Sequence, residues 1–214
     1  MFGDLKNYPK TMLGNIASLI TKGASPSWQG VSYTDDNSQT LFITSENVLN
    51  NALDLTKLKY VENKINDIQP RSILQMGDIL VNIVGASIGR VAEFNLKNKT
   101  NINQAVCLLR IPDEDVFNKK YLLYYMNSED AMKYYLENQV SVARANLSLK
   151  NINDMDIPTP PIELQNQFAD FVKHIDKLKF RETITKLKNL CYNIFNIIQS
   201  KNLSEVKKWQ TLNI

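Results

Sequence analysis

The sequence is poor in the side chains that carry out chemistry. Its 214 residues include two cysteines and one histidine. Cys107 and Cys191 sit in apolar surroundings, and neither has a second Cys or His at metal-ligand spacing, so no metal site is expected. So few cysteines suit a reducing compartment, and a cytoplasmic protein is expected. His174 stands alone beside Ile175 on a helical stretch, where a solvated side chain is the ordinary outcome. No apolar run approaches the length of a membrane span and no signal peptide opens the chain, so no membrane partner is expected. No serine has the elbow of a hydrolase. Gly85-Ala86-Ser87-Ile88-Gly89 lacks both the Lys-Ser/Thr of a P-loop and the spacing of a dinucleotide site, and reads as a tight strand connection. Thr159-Pro160-Pro161-Ile162 has the prolines of an amino-methyltransferase motif without its amide or acid and without its aromatic. These absences point to a binding module with no catalytic residue, metal or cofactor of its own.

What the chain does have is one long seam. Pro158-Thr159-Pro160-Pro161 stops whatever precedes it, and no Pro or Gly follows as far as Asn202. Glu163 places negative charge in a first helical turn. Apolar residues then recur at alternating spacings of four and three: Leu164, Phe168, Phe171, Ile175 and Leu178. After a phase break over 179–183 the pattern resumes at Ile184, Leu187, Cys191, Ile194 and Ile198. The spacing predicts a helix over about 161–203, roughly 60 Å long. Lysines and Arg181 occupy its other faces. Such a helix is expected to project from the domain and to pair as a coiled coil, because its seam needs another helix.

The body is different in charge. Residues 1–162 hold 16 basic and 17 acidic side chains, against 9 and 5 in 163–214. Overall charge therefore does not announce a nucleic-acid binder. Short β-rich runs at 40–44, 72–74, 78–84, 89–94, 105–111 and 151–158 alternate with turn residues. Residues 119–138 read as a helix or helix pair, 46–58 as a turn or short helix, and 98–103 as a polar connection. The expected fold is α+β. Residues 1–157 form a globular domain with a curved, mostly antiparallel sheet and flanking helices, and 158–214 form the long helical region. Ile79, Val81, Ile83, Val91, Val106 and Leu108 are the expected sheet core.

Taken together, these residues resemble the specificity subunits of type I restriction–modification systems over nearly the whole chain. The most specific part runs from Asn146-Leu147-Ser148-Leu149 through Ile157-Pro158-Thr159-Pro160-Pro161-Ile162-Glu163-Leu164-Gln165. Gly77-Asp78-Ile79-Leu80, Ile83–Gly89 with Arg90-Val91-Ala92, Asn101-Ile102-Asn103-Gln104-Ala105 and Tyr121–Met126 are similar to the family's sheet motifs and the helix after them. The resemblance implies a target recognition domain that binds double-stranded DNA and directs a separate modification (methyltransferase) subunit and a restriction subunit. S-adenosylmethionine, ATP and magnesium would then belong to those partners. The family pairs two domain–helix halves, with the two helices antiparallel, on a bipartite site. One half is present here, and Met1-Phe2-Gly3-Asp4 is similar to the segment just after the first helix in full-length subunits. A second half or a separate half-subunit is expected, joined to its own copy as an antiparallel homodimer or to another half.

Two loops are the candidate DNA surface, residues 21–33 and the acid-free 139–150. Lys22, Arg90 and Arg144 can reach guanine edges or phosphates, and Gln29 and Asn146 can pair with an adenine edge. Ser25, Ser27, Trp28 and Lys150 complete the candidate set. For each, the plainer alternative is a solvated surface residue, and for Trp28 a packing anchor. Two other functions stay open: a helical scaffold that binds no DNA, and the detached recognition part of a fused methyltransferase.

Overall fold

A computed structural model describes residues 5–112, 117–140 and 145–178, with positions 181, 183, 185 and 186 beyond them. The chain falls into two compact units, divided between Gln167 and Phe168. The first unit opens with β1 (Lys10–Met12), the single turn α1 (Leu13–Ile16) and β2 (Leu19–Lys22). Next come β3 (Tyr33–Thr34), β4 (Thr40–Ile43), β5 (Val48–Leu49), β6 (Ala52–Leu53) and β7 (Tyr60–Val61). The short α2 (Ile65–Ile68) leads to β8 (Ile79–Asn82), β9 (Val91–Glu93), β10 (Thr100–Ile102) and β11 (Val106–Arg110). Helices α3 (Lys119–Met126), α4 (Glu129–Asn138) and α5 (Leu149–Asn153) precede β12 (Asp156–Pro158).

Among the described residues the strands build four small sheets where one was expected. Two have four strands, in the orders β10-β4-β7-β3 and β2-β11-β8-β9; β1 pairs with β12, and β5 with β6. These pairings are antiparallel except β10 with β4. The strands are too short to carry one continuous ladder, so the two larger sheets pack through side chains instead. Alternation does this. In β4, Leu41 and Ile43 enter a core shared with Leu80, Val106 and Leu108, while Phe42 joins Val31, Val61 and Ile65 on the other face. All six expected core residues are buried.

Several local expectations are corrected. Residues 46–58 hold the β5–β6 hairpin, whose turn is made possible by Asn51 at φ 62°. Residues 98–103 include β10 rather than a connection. Thr100 and Asn101 are fully buried there, because Asn101 donates to Asn66 and accepts from Ser72. Residues 72–74 are no strand: Pro70–Ser72 makes a 3-10 turn. Residues 149–153 are helical, with Ser148 and Asn151 forming a capping box.

Helices α3 and α4 separate at Asn127-Ser128. Ser128 caps α4 by accepting from Ala131, and Asn127 is drawn onto β9, bonding both Val91 N and Val91 O. The strand β12, before the last described helical segment, is tied down firmly. β1 pairs with β12, Tyr121 donates to Pro158 O, and Gln165 bridges Pro160 O and the Asn118 amide.

In the second unit the backbone is helical through 178 and at 181, 183, 185 and 186. Phe171 is 53% and Leu178 46% exposed, while Phe168 and Ile175 are half-buried; Leu164, in the first unit, is half-buried as well. Val172, which the expected seam omits, is buried. Ile184, Leu187, Cys191, Ile194 and Ile198 lie outside the described residues.

Candidate nucleic-acid interface

The register of the β2-β11-β8-β9 sheet decides which candidates meet. Lys22 is opposite Cys107, Cys107 opposite Val81, and Val81 opposite Val91. At the usual strand separation this row is roughly 14 Å across. The loop after β2, the turn between β8 and β9, and the start of β11 therefore all lie at one end of the sheet. Lys22 is the last residue of β2, and Arg90 immediately precedes β9.

The first loop leaves this end under tight constraint. A Cβ on Gly23 would stand 1.7 Å from Ile102 O, so only glycine lets the chain pass β10 so closely. Pro26 is buried, and Ser27–Gln29 forms a 3-10 turn closed by Gly30 in the left-handed region. Ser25 and Ser27 share a hydroxyl contact of 3.1 Å. Trp28 is 83% exposed, which rules out the packing-anchor alternative within the described chain. Gln29 is half-buried.

The second loop is stitched to the β8–β9 turn. Val84 and Asn146 form an antiparallel bridge, Gly85 N donates to Ala145 O, and Leu147 N donates to Ile83 O, both at 2.8 Å. Val140 also bridges Asn146, so the loop closes on itself at its base. Asn146 and the Arg90 turn are thus neighbours, although nothing in their spacing foretold it. Arg144 lies outside the described residues. Lys150 belongs to α5 instead of a loop, and its ammonium is paired with Asp154 one turn on.

The cations of the described residues at this end are Lys22 and Arg90; Glu46, between the Asn82 partners Ser45 and Val48, is paired with Lys59 at 2.8 Å. The opposite end holds Asp78 and Glu93, with Asp78 bound by Arg110 at 2.7 Å. Burial pushes the Cys107 thiol up to about 12, against the pull of nearby Lys22, so it stays a neutral core group. Among the described residues no group of three His, Cys, Asp or Glu side chains could hold a metal, and no helix is long and apolar enough to cross a membrane.

Sequence reasoning missed the residues that hold the site together. Asn82 ends β8 fully buried, and its amide donates to Ser45 O and Val48 O. Its backbone carbonyl accepts from Gly89 N at 2.9 Å, which closes the Arg90 turn. Its one signal was a polar residue ending an otherwise apolar strand.

Comparison with known proteins agrees with this architecture. Two curated specificity subunits of type I restriction enzymes are similar. The EcoBI subunit of Escherichia coli is 29% identical over 151 residues, covering 69% of this chain and 31% of its own length. The putative MjaX subunit of Methanocaldococcus jannaschii is 29% identical over 139 residues, covering 62% and 32%. The chain thus spans about a third of the length of these relatives. Among solved structures, a chain of a type I R-M system matches with a TM-score of 0.59 at 19% identity, over 80% of this chain and 38% of that one. The HsdS subunit from Thermoanaerobacter tengcongensis matches with 0.55 at 19%, over the same shares. These two likenesses show the fold. Residues 10–190 match the family model described as the type I restriction modification DNA specificity domain, and the chain belongs to that family.

Proposed function

We propose that this chain reads DNA sequence for a type I restriction–modification enzyme. Residues 1–157 act as one target recognition domain, and 158–214 as a helical spacer and pairing element. The domain reads one half of a bipartite double-stranded site and brings a separate modification subunit, and through it a restriction subunit, to that site in the cytoplasm. The chain itself catalyses nothing; S-adenosylmethionine, ATP and magnesium are used by the partner subunits. The observation that carries this reading is the shared end of the β2-β11-β8-β9 sheet, which bears Lys22 at one edge and Arg90, on the turn joined to the Asn146 segment, at the other, in a chain of this family.

The roles divide by chemistry. Arg90 and Arg144 are suited to bidentate contact with guanine, and Gln29 and Asn146 to adenine edges. Lys22, Ser25, Ser27 and Lys150 are suited to phosphates, which position a protein without reading sequence. The half-exposed Phe171 and Leu178 support a second reading in parallel: the helix pairs antiparallel with a second copy, so that two domains face one duplex.

Selection of a randomised duplex pool on the purified chain, with and without a modification subunit, tests the proposal. Recovery of a shared sequence in either arm is expected. Recovery of none, with the helix still self-associating, would leave the scaffold as the function.

A further inference from the structure

Trp28 is held out in water by a rigid mount. The residues that flank its turn, Pro26 and Val31, are buried. Three backbone bonds close the turn between them: Gln29 N to Pro26 O at 2.9 Å, Gly30 N to Ser27 O at 3.2 Å, and Val31 N to Pro26 O at 2.9 Å. The indole is therefore not exposed because its loop is loose. Tyr33, further along the same loop, does find a ring and meets Phe42 edge-on at 6.0 Å. An indole left uncovered forgoes the burial that an aromatic side chain otherwise gains, so the fold gains nothing visible from it.

Charge around the loop is mixed. Residues 21–34 hold Lys22 and no acid, and Glu62, which accepts from Ser32 N at 2.7 Å, is itself paired with Lys64 at 3.0 Å. The DNA-reading function proposed above supplies a partner with flat π faces. We infer that Trp28 is a stacking residue that inserts its indole against a base step of the DNA. This rests on the DNA-reading function proposed above and adds a mode of recognition to it. Apolar side chains inserted between base steps unstack them, and aromatic stacking on bases tolerates sequence. Selectivity then comes from how easily a step opens, so the step at Trp28 should be a flexible TA or CA/TG step.

The chain has two tryptophans, Trp28 and Trp209. Trp209→Phe therefore leaves Trp28 as the sole tryptophan emitter. The probe is a labelled duplex recovered from a randomised pool by the Trp209→Phe chain itself. Duplex anisotropy and Trp28 emission are followed in one titration. The expected result is strong quenching with the same midpoint as the anisotropy, and a loss of at least about fivefold in affinity for Trp28→Ala, with Trp28→Phe retaining most of it. Saturating anisotropy with unchanged emission overturns stacking and leaves DNA recognition standing. Recovery of no duplex removes the DNA-reading function, and the inference with it. A blue shift on raising protein concentration without DNA seats the indole in a second copy and overturns it too. The quenching arm needs no change at position 28, so it holds whatever Trp28→Ala does to folding.

Discussion

The amide of Gly85 donates to the carbonyl of Ala145 at 2.8 Å, joining the turn that carries Arg90 to the strand-like base that carries Asn146. With Leu147 N on Ile83 O beside it, the two segments move as one piece. The candidate surface is thus built on paired backbone, the kind of support that keeps a reading side chain in register.

Two arginines at opposite ends of this sheet should behave in opposite ways. Arg90 is exposed, so Arg90→Ala should leave folding unchanged and weaken specific DNA binding by about 1–3 kcal/mol if it reads a guanine. If it contacts phosphate instead, all sequences weaken alike and the salt dependence flattens by about one counterion. Arg110 holds Asp78, which is 2% exposed. Arg110→Ala leaves that carboxylate buried without its cation and should lower stability by roughly 3 kcal/mol. Urea midpoints and gel-shift affinities of both variants separate the two roles. Equal effects on both measurements would break the division between the two ends.

Two glycines with similar backbone angles should differ in cost. Gly89 has φ 81°, and a Cβ there would lie 2.5 Å from the Tyr135 ring. Gly89→Ala combines backbone strain with overpacking and should cost about 2–4 kcal/mol. Gly30 has φ 64° with nothing within 4 Å of the added carbon, so Gly30→Ala should cost only the left-handed conformation, about 1–2 kcal/mol. Chemical denaturation at constant m-value reads both. Equal losses would mean that Tyr135 moves aside freely.

Stability should fall on the alkaline side through Cys107. Its folded-state value is raised from 9.0 to about 12, so the unfolded chain loses the thiol proton first. The stabilisation is complete below pH 9 and is lost as pH rises toward 12. At pH 10, one unit above the unfolded value, the loss from this group is about 1.4 kcal/mol. The tyrosines Tyr121 and Tyr135, which are buried, and the half-buried Tyr125 start from 10.0 and act later. Cys107→Ala should flatten the decline between pH 9 and 10. An unchanged slope would assign that decline to other groups.

Much of the fold was legible because short-range rules governed it. The β-rich run Ile79-Leu80-Val81 and the helical stretch 119–138 appear in sequence as they do in structure. Thr100 and Asn101 were misleading because polarity reads as exposure. The distant Asn66, Gln69 and Ser72 make a fully buried Asn101 tolerable, and no local pattern contains them. Of the candidate surface, the charged residues stood out in the sequence, but the way the fold brings them together did not. Lys22 and Arg90 stood out by charge, but their shared end of the sheet comes from a register between distant strands. Lys150 was misplaced for a local reason. The Ser148–Asn151 capping box starts a helix inside a stretch whose hydroxyls and amides read as loop.

The apolar seam of the second unit should bind another helix. Phe171 and Leu178 lie seven residues apart on helical backbone and are both about half exposed. Side chains two turns apart fall on nearly the same face, so these two begin a stripe. Continued at Ile184, Leu187, Cys191, Ile194 and Ile198, the spacing would make the stripe long enough to pair with another helix. Burying one such Leu or Ile is worth about 1.5–3 kcal/mol, so several together offset the entropy of association. The intact chain should therefore sediment as a dimer, and Phe171→Asp with Leu178→Asp should sediment as a monomer that keeps its folded domain. If the pairing is antiparallel, the dimer should select an interrupted palindrome whose gap is set by the helix. Seven residues inserted in register would lengthen each helix by about 10 Å, or close to three base pairs at about 3.4 Å each. Selection on the lengthened chain should then recover the same half-sites with a wider gap. Unchanged spacing would mean that the helix does not set the distance between reading domains. A monomeric intact chain would mean that the seam belongs to a different partner.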